Sequence, residues 1–263
     1  MIDISFKNKT GLKPVYLSAV IGADSFFYGL LDEDNKLIES ILYPNIDFSS
    51  QEDFDKVNNE LFELKGIEHI KVSFTVKPFL HASKEDAGQL SKYFPAFNNK
   101  IKDQDRLIDQ EVYVDYGLTK SQKSFCDKLF SEGYEVFHIS AVLANSLYPF
   151  RNKQVLAFIE TNTIHIVYGE NLNFYYYNQF HCENENDYLY FLLKVYDELK
   201  LDKETTSLQL SGRVEADSPI YKNIYSYIKT IELFKTEYFK VADLRYKNKQ
   251  HFYHDLFATK LCV

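Results

Sequence analysis

Tryptophan is missing from this chain, methionine occurs once, and there are three cysteines in 263 residues. Cys126, Cys182 and Cys262 are far apart, odd in number and never spaced as C-x-x-C. That pattern gives no disulfide framework and no zinc site, and it suits a reducing compartment. No apolar run approaches the roughly 18 residues needed to span a membrane. The opening Met1-Ile2-Asp3-Ile4-Ser5-Phe6-Lys7 has no basic stretch leading into an apolar one, so it does not read as a signal peptide. The expected location is the cytoplasm, with no membrane insertion. Positive charge is also scarce: 30 Lys and Arg against 38 Asp and Glu leave a net charge of -8. Phosphate backbones are held by clustered cations, so nucleic acid is not an expected partner. Lys240, Arg245, Lys247 and Lys249 are near one another, but Asp243 and Asp255 flank them, as on a solvated face. Neither G-x-x-x-x-G-K-[ST] nor G-x-G-x-x-G occurs.

Hydrophobic residues make up 45% and charged residues 26%, enough to build one large core or two ordinary ones. The 21 Tyr and 22 Phe are read as core material. They are arranged in a pattern that occurs twice. Val15 to Val76 and Val155 to Gly212 share one order of elements, offset by about 140 residues. Each has three apolar runs joined by short polar turns, as in a meander of hairpins. An amphipathic helix and a fourth strand follow. In the first copy Phe54, Val57, Leu61 and Leu64 give the helix its buried face. Ser49 and Glu52 offer a capping box, and Gly66 ends the helix. In the second copy Tyr188, Leu189, Leu192, Val195, Tyr196 and Leu199 trace the apolar face. A boundary near 150–153 predicts a first lobe over 1–150, with a loosely patterned insertion at about 77–110, and a second lobe over 151–263. Between them Glu111 to Tyr116 reads as a strand, 119–132 as a helix, 134–139 as a strand, and Ser140 as the cap of a further helix. Helix 217–230 and a strand near 236–241 complete the second lobe.

This order of elements resembles that of the actin-like ATPase superfamily, nearest to its bacterial pilus-assembly and secretion-platform members. Three stretches are similar to the bacterial domain-of-unknown-function family 3822: His69-Ile70-Lys71-Val72-Ser73 with Lys77-Pro78-Phe79, Ser140 through Tyr148, and Leu208 through Gly212. Together the resemblances cover nearly the whole chain. They imply an α/β fold of duplicated ribonuclease-H-like lobes in the actin-like arrangement, with mixed β-sheets flanked by helices, and no established activity.

Actin-like ATPases hold phosphates between two β-hairpins, where small residues admit backbone N–H groups and an Asp orients magnesium through water. The first turn here keeps Gly22, Asp24 and Ser25 without the D-x-G order. In the second, Glu160 stands where the family Asp would, followed by Thr161 and Thr163, and both glycines are lost. The adenosine turn is reduced to Gly212 in Ser211-Gly212-Arg213. The resemblance therefore implies a degenerate site with no cofactor and no catalytic residue. The alternative is an ATP-dependent switch binding ATP with magnesium through these seven residues. A sugar-kinase-like enzyme would need a base, and only Asp115 offers one, at the wrong place in the order. His251 and His254 lie three apart but lack a third and fourth metal ligand, so they are read as part of a partly exposed terminal helix. The remaining signal is Asn173 to Phe180, where alternation puts Phe174 and Tyr176 on one face and Tyr175 and Tyr177 on the other. At a sheet edge that strip could dock a protein partner or a second copy. The expected function is that of a binding or scaffold protein with an unidentified protein partner.

Overall fold

The six residues Tyr16–Ile21, apolar except for Ser18, form β1, which pairs antiparallel with β2 (Ser25–Leu31), itself antiparallel to β3 (Lys36–Pro44). The β2–β3 turn is held by Asp32, whose Oδ1 accepts the N–H groups of Asp34 and Lys36. Helix α1 (Gln51–Phe62) crosses over, and β4 (His69–Phe74) returns parallel to β1. The capping serine is Ser50, one residue later than expected, and its Oγ accepts the Asp53 N–H at 3.3 Å. Ser49 is diverted because Asp47 accepts both its N–H and its hydroxyl proton. This computed structural model describes residues 3–62, 67–107, 110–131, 133–149 and 152–262. Leu64 and Gly66 lie outside them.

Between β4 and the next strand of this sheet the chain builds a separate antiparallel sheet from β5 (Phe79–Ser83), β6 (Ile101–Arg106) and β7 (Val112–Leu118), ordered β5-β7-β6. The strand expected from Glu111 is therefore the centre of the insertion, which extends past 110 to Leu118. Helix α2 (Lys120–Leu129) then starts at a Thr119–Gln122 capping box, and β8 (Glu135–His138) joins β4 in parallel. In α3 (Ile139–Leu147) Ser140 sits inside the first turn and is not its cap. Its Oγ meets His138 Nδ1 at 2.7 Å.

The second copy comprises β9 (Gln154–Ile159), β10 (Thr163–Glu170), β11 (Asn173–His181), α4 (Glu185–Glu198), β12 (Ser207–Gly212), α5 (Pro219–Tyr225) and β13 (Ile231–Leu233). Its strand order is β11-β10-β9-β12-β13, matching β3-β2-β1-β4-β8 in the first copy strand for strand and direction for direction. The duplication expected from the sequence is present in both sheets. Alternation along β9 and β12 turns Val155, Ala157, Ile159, Leu208 and Leu210 toward α4, where Tyr188, Leu192, Val195 and Tyr196 complete a buried core.

The tail departs from the expected partition. One compact unit comprises Ile4–Val142, Tyr238–Asn248 and Asp255–Val263, and the other Met1–Asp3, Leu143–Glu237 and Lys249–His254. Much of the tail thus returns to the larger unit, where β14 (Lys240–Val241) pairs parallel with β3. The last helix, α6 (His254–Leu261), follows a short 3-10 turn at Gln250–Tyr253. Among the described residues no helix is long and apolar enough to cross a membrane.

The inserted sheet is tied to β8 of the six-stranded sheet by a buried carboxylate. Asp105 on β6 accepts the backbone N–H of His138 and, at 3.4 Å, the Tyr116 hydroxyl proton. Burial raises its pKa to about 7, against the opposing pull of the His138 hydrogen bond. The folded state therefore keeps a proton that the unfolded chain releases near pH 4, and stability falls as pH rises through that window to about 7. Asp105→Asn, which keeps the acceptor for His138, is expected to raise stability at pH 8 by on the order of 2 kcal/mol. Urea denaturation at pH 5 and pH 8 checks this. An Asn variant whose stability falls between those pH values as much as wild type would refute it.

Candidate functional site

Each hairpin turn is closed by its own backbone. In the first, the Gly22 N–H donates to the Ser25 carbonyl at 2.9 Å, and the Ile46 N–H donates to the Asp24 carbonyl at 2.7 Å. Asp24 is exposed and Ser25 half-buried. Gln122, from the first turn of α2, places its Nε2 on the Gly22 carbonyl at 3.0 Å. The Gly22 amide that would face a phosphate is already used inside the turn. Its carbonyl is used by a side chain that sequence reasoning did not single out.

The second turn is built likewise, with the Glu160 N–H donating to the Thr163 carbonyl at 2.9 Å. Tyr188 from α4 donates its hydroxyl proton to the Thr161 carbonyl at 2.9 Å. The Glu160 side chain points to a neighbour on β10: His165 Nε2 lies 3.1 Å from its Oε2. On the far side of the imidazole, Nδ1 is 2.8 Å from the Tyr177 hydroxyl on β11. One tautomer satisfies the whole chain, with Nε2–H donating to the carboxylate and Nδ1 accepting from the phenol. Burial works to raise the Glu160 pKa. The His165 hydrogen bond, with the electrostatic pull of His165 and then of Arg213, outweighs it and holds the carboxyl below its usual range. Burial, then the Glu160 charge, pushes the Tyr177 phenol well up.

Carboxylate, imidazole and phenol in series would be a catalytic relay if the far end met solvent or substrate. Here the far end is Tyr177, 6% exposed, and His165 is fully buried. The arrangement braces the turn against β11 and presents no nucleophile.

Gly212 is placed beside this turn by the parallel pairing of β12 with β9, opposite Ile159. The Arg213 N–H donates to the Ile159 carbonyl at 2.6 Å, and the Arg213 guanidinium lies 5.5 Å from the centre of the Phe158 ring. The fold thus gathers Glu160, Thr161, Thr163 and Gly212 at one end of the smaller unit's sheet, and Gly22, Asp24 and Ser25 at the end of β1 in the larger unit. His165 and Arg213 were missed by sequence reasoning. Strand alternation on β10 puts His165 on the face opposite Ile164 and Ile166, which was the available signal.

The other nominated residues are structural. Asp115 is buried, its two carboxylate oxygens accepting the Gly88 N–H at 3.0 and 2.8 Å, and Oδ1 also takes Gln104 Nε2 at 2.6 Å. It folds the inserted sheet and is not poised as a base. His251 and His254 were expected on a partly exposed helix, but both are buried. His251 lies in the 3-10 turn and donates Nε2–H to the Val214 carbonyl at 2.9 Å. His254 places both ring nitrogens on hydroxyls, Ser211 and Ser146, each at 2.9 Å. Among the described residues no group of three His, Cys, Asp or Glu could hold a metal ion.

Strand β11 lies at the edge of its five-stranded sheet. A bulge between Tyr168 and Gly169 shifts its register, so Tyr168 faces Tyr176 while Gly169 faces Phe174. Tyr175 is the extra residue and is 55% exposed, with its ring 5.9 Å from that of Tyr168. Tyr177, paired with it on one face by the sequence reading, is instead drawn inward to His165.

In the second turn Glu160 Oε2 accepts from His165, and the Gly22 and Glu160 N–H groups are bonded within their own turns. A sequence model of the family described as protein of unknown function (DUF3822) matches residues 7–231. No curated protein matches the chain in sequence. Among solved structures it is similar to a protein of actin-like ATPase fold and unknown function from Bacteroides thetaiotaomicron VPI-5482, with 20% identity, a TM-score of 0.66, and coverage of 89% of this chain and 94% of that one. A chain of the PilM-PilN type IV pilus biogenesis complex is similar at 11% identity and a TM-score of 0.61, covering 95% and 98%. The ethanolamine utilization protein EutJ from Carboxydothermus hydrogenoformans is similar at 9% identity and a TM-score of 0.50, covering 94% and 90%. At such identities the likeness shows the fold, which is that of the actin-like ATPases.

Proposed function

This chain belongs to the DUF3822 family of proteins of unknown function, and we propose that it is a catalytically silent actin-like protein of the cytoplasm that works by binding a protein partner. The observation that carries this reading is the commitment of Glu160 to His165. The bond from the buried imidazole to Oε2 fixes where the Glu160 carboxylate points, and such sites lose rate steeply with displacements of about 1 Å. Partner binding is supported by β11, an edge strand that carries the exposed aromatic Tyr175. That a protein of this fold occurs in the PilM-PilN complex is in keeping with such a role.

A thermal-shift titration with ATP and magnesium tests the silent site. A nucleotide at 100 times its dissociation constant would add about 2.7 kcal/mol; the expected result is no shift and no phosphate release. Magnesium-dependent release that disappears in Asp24→Ala would instead establish the ATP-dependent switch. The docking strip is tested by Tyr175→Glu, which is expected to lose a co-purifying partner while its melting temperature stays within a degree or two of wild type, as for an exposed site. Retention of that partner by the variant would remove β11 from the proposal.

A further inference from the structure

The duplication lets one copy show how the other can be completed. Strands β3 and β11 hold the same place in the two copies, and each has nine residues. Each carries a bulge at its third residue. Leu30 faces Glu39 while Leu31 faces Leu37, so Ile38 is the extra residue of β3, as Tyr175 is of β11. Aligning the two bulges places Tyr177 where Ser40 stands and Gln179 where Leu42 stands.

In the larger unit the outer side of β3 is covered by the chain itself. The N-terminal arm bonds to it twice, Phe6 N–H to the Ser40 carbonyl at 2.8 Å and Ser40 N–H to the Phe6 carbonyl at 3.0 Å, as an antiparallel bridge. Ser5 Oγ accepts the Leu42 N–H at 3.0 Å. Nearer the bulge β14 takes over, with the Ala242 N–H on the Leu37 carbonyl at 2.8 Å. In the smaller unit the sheet ends at β11, and among the described residues no strand lies beyond it. The Cys182 N–H bonds to the Asn162 carbonyl of the β9–β10 turn at 2.9 Å, which sets the phase of the ladder. By the alternation of antiparallel pairing, the backbone groups of Gln179 and Tyr177 then point away from β10, as those of Ser40 and Leu42 point away from β2. The Gln179 N–H is held by Asn178 Oδ1 at 2.8 Å. A side-chain oxygen thus meets it as Ser5 Oγ meets the Leu42 N–H.

Charge decides what can take this place. Asn173 to Phe180 carry none, but Glu183, Glu185 and Asp187 follow at the C-terminal end of β11, the first two exposed. Further along α4, Glu198 is offset by Lys194 at 3.9 Å. A second copy of β11 laid antiparallel about Tyr177 would bring Glu183 and Glu185 of one copy against Glu170 of the other. Acid would meet acid at both ends.

We propose that β11 is completed by an extended segment of another protein, added antiparallel as a further strand, with uncharged side chains along its middle and Lys or Arg at its N-terminal end. An antiparallel segment brings that end to Glu183 and Glu185. Backbone bonds would give the affinity and the end charges the direction. This inference rests on the reading of β11 as the docking strip and specifies what docks there.

Fluorescence anisotropy with synthetic peptides tests it at low salt. The probes are Arg-Lys-Val-Thr-Ile-Thr-Val-Ser, the same peptide beginning Glu-Glu, and the basic peptide with alternate backbone nitrogens methylated in each of the two phases. The basic peptide is expected to bind saturably and about tenfold tighter than the acidic one. One methylated phase should abolish binding, because it removes the donors that meet β11. Glu183→Lys combined with Glu185→Lys should reverse the preference between basic and acidic peptides. No binding of the basic peptide, equal binding of both methylated forms, or a preference unchanged in the charge-reversed variant would each overturn the proposal. So would sedimentation of the chain alone as a dimer that Tyr175→Glu dissociates, which would put a second copy on β11. If the peptides fail while Tyr175→Glu still loses a co-purifying partner, strand addition falls and the docking strip stands.

Discussion

His254→Ala is expected to lower the free energy of unfolding by about 3–5 kcal/mol, measured by urea denaturation at pH 7. The imidazole is fully buried and lies flat on Phe234, with ring centroids 3.7 Å apart and planes within 10°. Truncation would leave a cavity under Phe234 and strip partners from the Ser211 and Ser146 hydroxyls. The pH dependence distinguishes this side chain from a mere filler. Burial pushes its pKa down to about 3, whereas in the unfolded chain it takes up a proton near pH 6.5. Unfolding therefore consumes a proton between those values, so the stability held by neutral His254 is complete above pH 6.5 and is lost as pH falls toward 3. Wild type should lose stability from pH 7 to pH 5 more steeply than the alanine variant. Parallel pH profiles, or a loss below 1 kcal/mol at pH 7, would count against the assignment. The effect has the opposite sign to that of Asp105, so across the pH range where both groups titrate the two slopes offset each other, and each is read from its own variant.

Gly212→Ala is expected to cost roughly 3 kcal/mol or more, because two penalties coincide there. The residue has φ of +88°, and a Cβ would lie 2.1 Å from the Ile159 carbonyl oxygen and 2.7 Å from the Ile159 nitrogen. These are backbone atoms of a central strand and have no rotamer with which to retreat. Relief would require parting β12 from β9 at the bond from the Arg213 N–H to Ile159, beside the Glu160 turn. Gly133 provides the control: its φ is +110°, but among the described residues, its chain neighbours aside, nothing lies within 4 Å of the added carbon. Gly133→Ala should therefore show only the conformational cost, about 1 kcal/mol. Equal melting-temperature losses for the two variants would mean that close packing against Ile159 is unimportant.

The strands of both copies were legible because their apolar runs and alternation are local. Leu17, Ala19 and Ile21, or Val155, Ala157 and Ile159, announce a buried face without knowledge of any partner. The inserted sheet was less legible, since β6 reads Ile-Lys-Asp-Gln-Asp-Arg, mostly polar, and takes its strand conformation from pairing with β7. The commitment of Glu160 was not legible. His165 faces Gln179 in register and Tyr177 faces Val167, so the imidazole and phenol meet on a diagonal that depends on the pairing of two strands. The bulge at Tyr175 likewise breaks an alternation that five successive side chains otherwise suggest. The burial of His251 and His254 was hidden because each finds its partners dozens of residues away in sequence, at Val214, Ser211 and Ser146.

The return of the tail to the larger unit bears on the order in which the protein can assemble during synthesis. Ser18 on β1 donates its hydroxyl proton to the Leu256 carbonyl, across 238 residues of sequence, and Thr259 reaches Ser73 across 186. Strands β9 to β13, by contrast, all fall within one continuous stretch of the smaller unit, Leu143–Glu237. Contacts of long sequence separation form late, because the loop must close before they contribute. The half that leaves the ribosome first is thus the half completed last. Until α6 emerges, Gly29 of β2 lacks the Leu256 side chain that packs beside it, and the apolar face of that sheet stands open to chaperones and to other nascent chains.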